Sequence, residues 1–397
     1  MLAEAELMCT QSVAVQYLCA ASPAAAKIDA DFFDVSPPPT SRQIKSPVFS
    51  SSESAVSIEL SCSELALSCS TSIQTTAVLD TLSSKFAPRI RSGSHTDVGP
   101  RRSNEDQHIR IDDLSTHLGS LYSWSQPSSF YAIFDGHGGA DAAVYLKNNA
   151  LRFFFEEAEL PQTSDVDEKF LQALETSHRR SFLLADRALA DEQNSVNSDC
   201  GTTVLTALVL GRHLLVANAG DCRAVLCRKG DAVQLSQDHR PSCQVERKRV
   251  EDLGGKVECG YLNGELALTR ALGDWYMKLP YGSASPLTAE PELQQTLLTE
   301  DDEFLIIGCD GIWDVLSNQE AVALVRRELR HHNDPQQCAR ELINQALRRD
   351  TCDNITAIVV CFSSQESQEP VPSRRSRFRI CMSEEARNKL RSLIEDN

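Results

Sequence analysis

The sequence predicts an α+β fold, a layered sandwich of sheets and helices, in preference to a doubly wound parallel sheet. Two observations carry this. Short apolar runs recur at 129–134, 202–210, 213–218, 223–227, 303–308 and 355–362, and several are apolar on both faces. Strands covered on both sides have that pattern. Helical periodicity occurs separately, at 140–158, 167–192, 243–253, 318–331 and 335–349. Strands in groups, with helices in pairs between them, point to layers.

Taken in order, the first strand expected is QHIRI, which follows Glu105 and Asp106. FYAIF ends at Asp135, and a helical pattern follows from 140. LLVANAGDCRAVLCR reads as two strands joined as a hairpin by a tight turn at Ala219–Gly220–Asp221. Gly254–Gly255 stops the third helix, and Pro335 stands where the last can begin. EFLIIG and NITAIVV supply the remaining strands, ahead of Asp310 and behind Asp353.

The flanks differ in texture. Residues 1–92 are rich in Ser, Thr, Ala and Pro with little periodicity, so they are expected to be mostly disordered. Ser–Pro steps at Ser36 and Ser46 read as plain linker. Residues 93–362 hold the strands and helices. Residues 363–397 form a polar tail with four arginines between Arg374 and Arg379 and a terminal stretch compatible with a short helix.

Composition excludes several classes. With 39 basic against 56 acidic residues, the formal charge is −17. Such a surface repels nucleic acid and anionic membranes. Fourteen cysteines are scattered without a CxxC pair, and Cys309 and Cys361 sit in apolar runs. They read as reduced, buried thiols of a cytoplasmic or nuclear protein, expected to be a monomer. No run approaches the ~18 apolar residues of a membrane span. A secretory signal is not expected either, because the N-terminus lacks a basic stretch followed by an apolar one. The early acids Glu4 and Glu6 speak against a transit peptide.

The chemistry lies in acids at strand ends. Glu105 and Asp106 precede one strand, Asp135 and Asp310 each end one and are followed by glycine, and Asp353 precedes the last. A carboxylate at the lip of an apolar strand is costly unless compensated. One such acid is commonly a cap or turn former; several together call for a cation. Mg²⁺ and Mn²⁺ favour carboxylate, carbonyl and water oxygens. The glycines allow close backbone approach, so Gly136 could offer its carbonyl. A cluster this acidic could hold two metals about 3.5–4 Å apart with one carboxylate between them. There is no Cys/His set for zinc, no phosphate-binding glycine loop and no kinase signature. Metal-assisted hydrolysis is therefore favoured over transfer from a nucleotide.

RRSNED, DGHGG, CGTTVLTALV, VANAGDCRAVL, LALTRALGD, CDGIWDVLSNQE and DNITAIVV follow one another in this order. Together they resemble the metal-dependent protein phosphatases of type 2C, and GYLNGELALTRALGDWYMK is most similar to plant members. The resemblance spans roughly 93–362. It implies a four-layer α-β-β-α sandwich, two antiparallel sheets flanked by helices. It implies Mn²⁺- or Mg²⁺-dependent removal of phosphate from phosphoserine and phosphothreonine in proteins. By motif position, Asp106, Asp135, Asp310 and Asp353 match the metal-binding acids, Asp135 being the bridging one, and Gly136 matches the carbonyl ligand. Glu105 matches an acid acting through water, and Asp221 and Asp314 a weaker third-metal site. Two metals would lower the pKa of a bridging water, which attacks phosphorus in line without a covalent intermediate.

Arg101, four residues before Glu105, has the family spacing for the phosphate clamp, and Arg102 is the neighbouring alternative. His137 matches the general acid that protonates the leaving oxygen. Arg270 and Asp274 read as an ion pair bracing a loop, Asn354 as a loop-fixing side chain, and Trp313 as core. A phosphoprotein-binding module without turnover is the competing reading, and the intact acids oppose it. A nuclease is opposed by the acidic surface.

Overall fold

The computed structural model describes residues 86 and 88–363, except 120–123, 125, 159, 162–165, 193–198 and 279–283. Ser36, Ser46 and the arginine cluster of the tail lie outside the described residues. Ten longer strands run in chain order: β1 Arg89–Asp97, β2 Gln107–Ile111, β3 Ser128–Phe134, β4 Val204–Leu210, β5 His213–Ala219, β6 Arg223–Arg228, β7 Asp231–Gln234, β8 Glu292–Leu297, β9 Asp302–Gly308 and β10 Ile355–Ser363. They form two sheets, ordered β8-β5-β4-β3-β2 and β1-β10-β9-β6-β7. Every pairing within them is antiparallel. β1 starts at Arg89, ahead of residue 93, because Arg89 already pairs with Ser363.

The period-two pattern sorts side chains between cores. In β3, Phe130, Ala132 and Phe134 meet Leu146, Phe154, Leu174 and Phe182 of the helices. Tyr131 and Ile133 turn the other way, toward Leu305, Ile307, Ile358 and Val360 of the second sheet. In β9, Phe304 and Ile306 face Val322, Val325, Leu342 and Ile343. Both faces of each central strand are thus dry, and each fully buried Phe, Ile or Leu contributes roughly 1.5–3 kcal/mol.

The longer helices are α1 Asp141–Leu151, α2 Glu168–Asp191, α3 Gln244–Asp252, α4 Asn318–His332 and α5 Pro335–Leu347. The starts of α2, α4 and α5 are capped by side chains: Asp167 accepts from Phe170 N, Ser317 and Glu320 form a capping box, and Asp334 accepts from Gln336 N ahead of Pro335. No helix among the described residues is long and apolar enough to cross a membrane.

Two expectations need correction. β5 and β6 are not a hairpin: β5 pairs with β4 and β8, β6 with β9 and β7. A two-residue hairpin turn of type I′ needs positive φ at both central residues. Here Gly220 has φ 129° but Asp221 does not, and Cys222 is drawn into the core between the sheets. The chain therefore steps from one sheet to the other. The run 202–210 also divides at Thr203. Gly201–Thr202 leaves to pair with Gly136–His137 and Leu272–Gly273 in a small third sheet.

Candidate metal centre

The acids converge because antiparallel neighbours bring one strand's end beside another's start. Gln107 pairs with Phe134, so Asp106 and Asp135 leave β2 and β3 at the same edge. Gly308 pairs with Ala357, which places the segment before β10, with Asp353, beside Asp310 after β9. Asp221 arrives on the step between the sheets.

Ligand atoms of Asp106, Asp135 and Cys309 lie within 4.8 Å of one another, as do those of Asp135, Asp221 and Asp310. Asp135 is common to both groups. Asp353 stands in neither; its Oδ2 accepts from Arg101 Nη2 at 2.6 Å. Asp314 stands in neither, and its Oδ1 meets Arg240 Nη1 at 3.0 Å. Glu105 Oε2 accepts the Gly139 N–H at 3.2 Å.

Backbone approach is as close as the Asp–Gly steps suggested. A Cβ on Gly136 would stand 2.7 Å from the Glu105 carbonyl, and one on Gly311 2.0 Å from that of Asn354. Asn354 ties the loops together, accepting the Glu105 N–H at 2.8 Å and donating to the Val98 and Ser103 carbonyls at 2.9 Å. Trp313 is core, its Nε1 donating to Gly308 O.

Electrostatics follow from burial and crowding. Burial first, then the neighbouring Asp106, Asp310, Asp221 and Asp353 charges, raise Asp135 well above the carboxylate range. Burial also raises Asp106, although Thr356 donates to it at 2.6 Å. Asp310 is pushed up to about 8 by burial and then by Asp221, Asp353 and Asp314. Among the described residues, the guanidinium contacts to these acids come from Arg101 and Arg240, and neither touches Asp106 or Asp135. Buried oxygen donors that repel one another in this way fit a hard divalent cation.

The sequence reading missed three participants. Arg240 binds Asp221 at 2.7 Å, Asp310 at 3.1 Å and Asp314 at 3.0 Å. Cys309, read only as core, also brings its sulfur to the acids. Asp274 is not paired with Arg270. Its Oδ2 meets His137 Nε2 at 2.8 Å, while Arg270 pairs with the buried Glu246 at 2.7 Å. The small third sheet explains the exchange. It sets Leu272–Gly273 and Gly136–His137 on either side of Gly201–Thr202, so the residue after Gly273 reaches His137. Asp274 holds left-handed backbone, φ 50°, a strain of the kind met at functional sites.

The sequence model of the family "Protein phosphatase 2C" matches residues 90–355. The chain is 58% identical over 318 residues to "Probable protein phosphatase 2C 2" of Oryza sativa subsp. japonica, covering 79% of this chain and 83% of that one. It is 57% identical over 321 residues to "Probable protein phosphatase 2C 13" of Arabidopsis thaliana, covering 80% and 83%. The fold is similar to the crystal structure of serine-threonine phosphatase 2C from Toxoplasma gondii, with TM-score 0.57, 23% identity and coverage of 70% and 98%. A match across two thirds of the chain, with close plant relatives and an acid cluster at its sheet ends, leads to one conclusion: the chain belongs to the protein phosphatase 2C family, as a plant-type serine/threonine protein phosphatase.

Proposed function

We propose that this phosphatase hydrolyses phosphoserine and phosphothreonine in proteins at a centre for two Mn²⁺ or Mg²⁺ ions, held by Asp106, Asp135, the Gly136 carbonyl, Asp310 and Asp353. The observation that carries this is Asp135, common to both groups of ligand atoms. Bound there, the ions would supply charge compensation and an activated water that attacks phosphorus in line, with no covalent intermediate. Glu105 would act through water, and Asp221 and Asp314 would serve a weaker third ion.

The chain's own residues do the rest. Arg101 is rooted on the Cys352 carbonyl at 2.9 Å with its side chain half exposed, so its fork can turn toward phosphate oxygens. His137 gives Nε2–H to Asp274, which leaves Nδ1 to pass a proton to the departing serine or threonine oxygen. The core between the two sheets and the cores between each sheet and its helices support a four-layer α-β-β-α sandwich as the rigid frame. We take the catalytic unit to be the segment from β1 to β10, working as a monomer in cytoplasm or nucleus. Residues 1–92, apart from the start of β1, and the tail after 362 would be flanking regions.

The test is phosphate release from a phosphopeptide. Activity should require Mn²⁺ or Mg²⁺ and stop with chelator. Asp135→Asn should lower it by about a hundredfold or more, the scale for losing a charge-organising group. Full activity of Asp135→Asn protein would refute the assignment.

A further inference from the structure

Arg240 carries an inference beyond the two-metal centre. It rests on that reading, because it concerns entry of a further ion. The guanidinium uses all three nitrogens on three acids: Nε to Asp221, Nη2 to Asp310 and Nη1 to Asp314. These include the two residues, Asp221 and Asp314, expected to hold the weaker ion. Asp106 and Asp135 have no guanidinium partner among the described residues. Asp353 has Arg101 and the set of Asp221, Asp310 and Asp314 has Arg240, so the attached cations stand around Asp106 and Asp135 and not on them.

The root of the arm is fixed. His239 N donates to Gly220 O at 2.9 Å, and Gly220 N donates to His239 Nδ1 at 3.2 Å. Arg240 therefore springs from a segment latched to the turn that bears Asp221. The acids grade outward, with side-chain exposure of 6% at Asp221, 22% at Asp310 and 53% at Asp314. The guanidinium can leave toward solvent on the Asp314 side without disturbing its root. Nearby Arg223 cannot take its place, since Asp238 and Asn318 hold it.

We infer that Arg240 is a tethered counter-ion, a positioning residue that holds Asp221, Asp310 and Asp314 together and sets the threshold for a third divalent cation by competing for them. A cation entering between Asp221 and Asp314 must displace two of the guanidinium's contacts, against the single one to Asp310 for the two-metal centre, so the site fills later than the other two.

The test counts bound Mn²⁺ on the full chain, from the free-ion electron paramagnetic resonance signal during titration. Arg240→Ala should tighten the weakest class of bound Mn²⁺ by about tenfold, as removal of a competing part-buried cation implies. The tighter class shares only Asp310 with Arg240 and should tighten by less. Arg240→Lys keeps the charge but loses the fork, so it should lie nearer the wild type than the alanine variant does. Asp314→Asn should weaken the weakest class and remove the gain when combined with Arg240→Ala. The inference is overturned if Arg240→Ala leaves that class unchanged or weaker, if lysine behaves as alanine does, or if no weaker class exists. Circular dichroism verifies folding, and Arg240→Gln replaces the alanine variant if that one is unfolded. Loss of the tighter class in the wild type would refute the two-metal reading instead, and is scored separately.

Discussion

Asp274 is buried, strained and bonded to His137, yet its local sequence marks it only as the end of LALTRALGD. Its partner lies 137 positions earlier. A carboxylate on one imidazole nitrogen fixes the orientation of the ring. Asp274→Asn should therefore lower turnover of a phosphoserine peptide by about 10–100-fold, the scale for losing such a partner. Turnover of an aryl phosphate, whose leaving group needs no proton, should fall much less. Equal losses on both substrates would mark Asp274 as merely structural. Asp135 differs: an apolar strand ending in Asp–Gly is visible in six consecutive residues. The sequence could name the acids but not their positioning partners, because a burial pattern is local and a pairing is not.

Buried elements were the most legible, and of the edge strands only β2 was expected from the sequence. β3, β4, β9 and β10 are apolar on both faces and appear in the sequence as continuous runs. β1, β7 and β8 went unrecognised, and each is the edge of its sheet. Edge strands face solvent and carry Arg, Ser, Gln and Asp, which read as loop. Turns hold the tightest constraints. At Gly311 an added Cβ would stand 2.0 Å from the Asn354 carbonyl, so β9 and the start of β10 would have to part. Gly311→Ala should cost about 1–3 kcal/mol of stability, as overpacking does, seen as a lower denaturation midpoint. It should also weaken metal binding, since Asp310 and Asp353 flank that contact. An unchanged midpoint would show that the turn relaxes freely.

At the scale of the whole molecule, the three larger cores among the described residues share their strands, a smaller fourth lies around Val250 and Leu262, and the core under α1 and α2 contains a titratable group. His178 is fully buried and packs on Phe154 with ring centroids 6.0 Å apart. Burial pushes its pKa down to about 4 from 6.5. Below about 6.5 the unfolded chain takes up a proton that the folded chain refuses until pH falls near 4, so stability is complete above that window and drops through it. The loss amounts to roughly 3 kcal/mol. Replacing His178 by Phe should flatten the stability curve between these pH values, measured by denaturant unfolding. An unaltered slope would move the effect to other groups.

The sequence by itself determined the fold class, the order of most elements, the strand-end acids and, through its motif order, the family. These depend on local alternation and on residues adjacent in the chain. Only the tertiary structure decided that β5 and β6 enter different sheets, that Asp274 serves His137, and that Arg240 answers three acids at once. The physical reason is one of range. Neighbouring residues encode whether a segment is buried, but contacts between residues 70 or 137 positions apart depend on which strands pair, and that depends on packing the whole core.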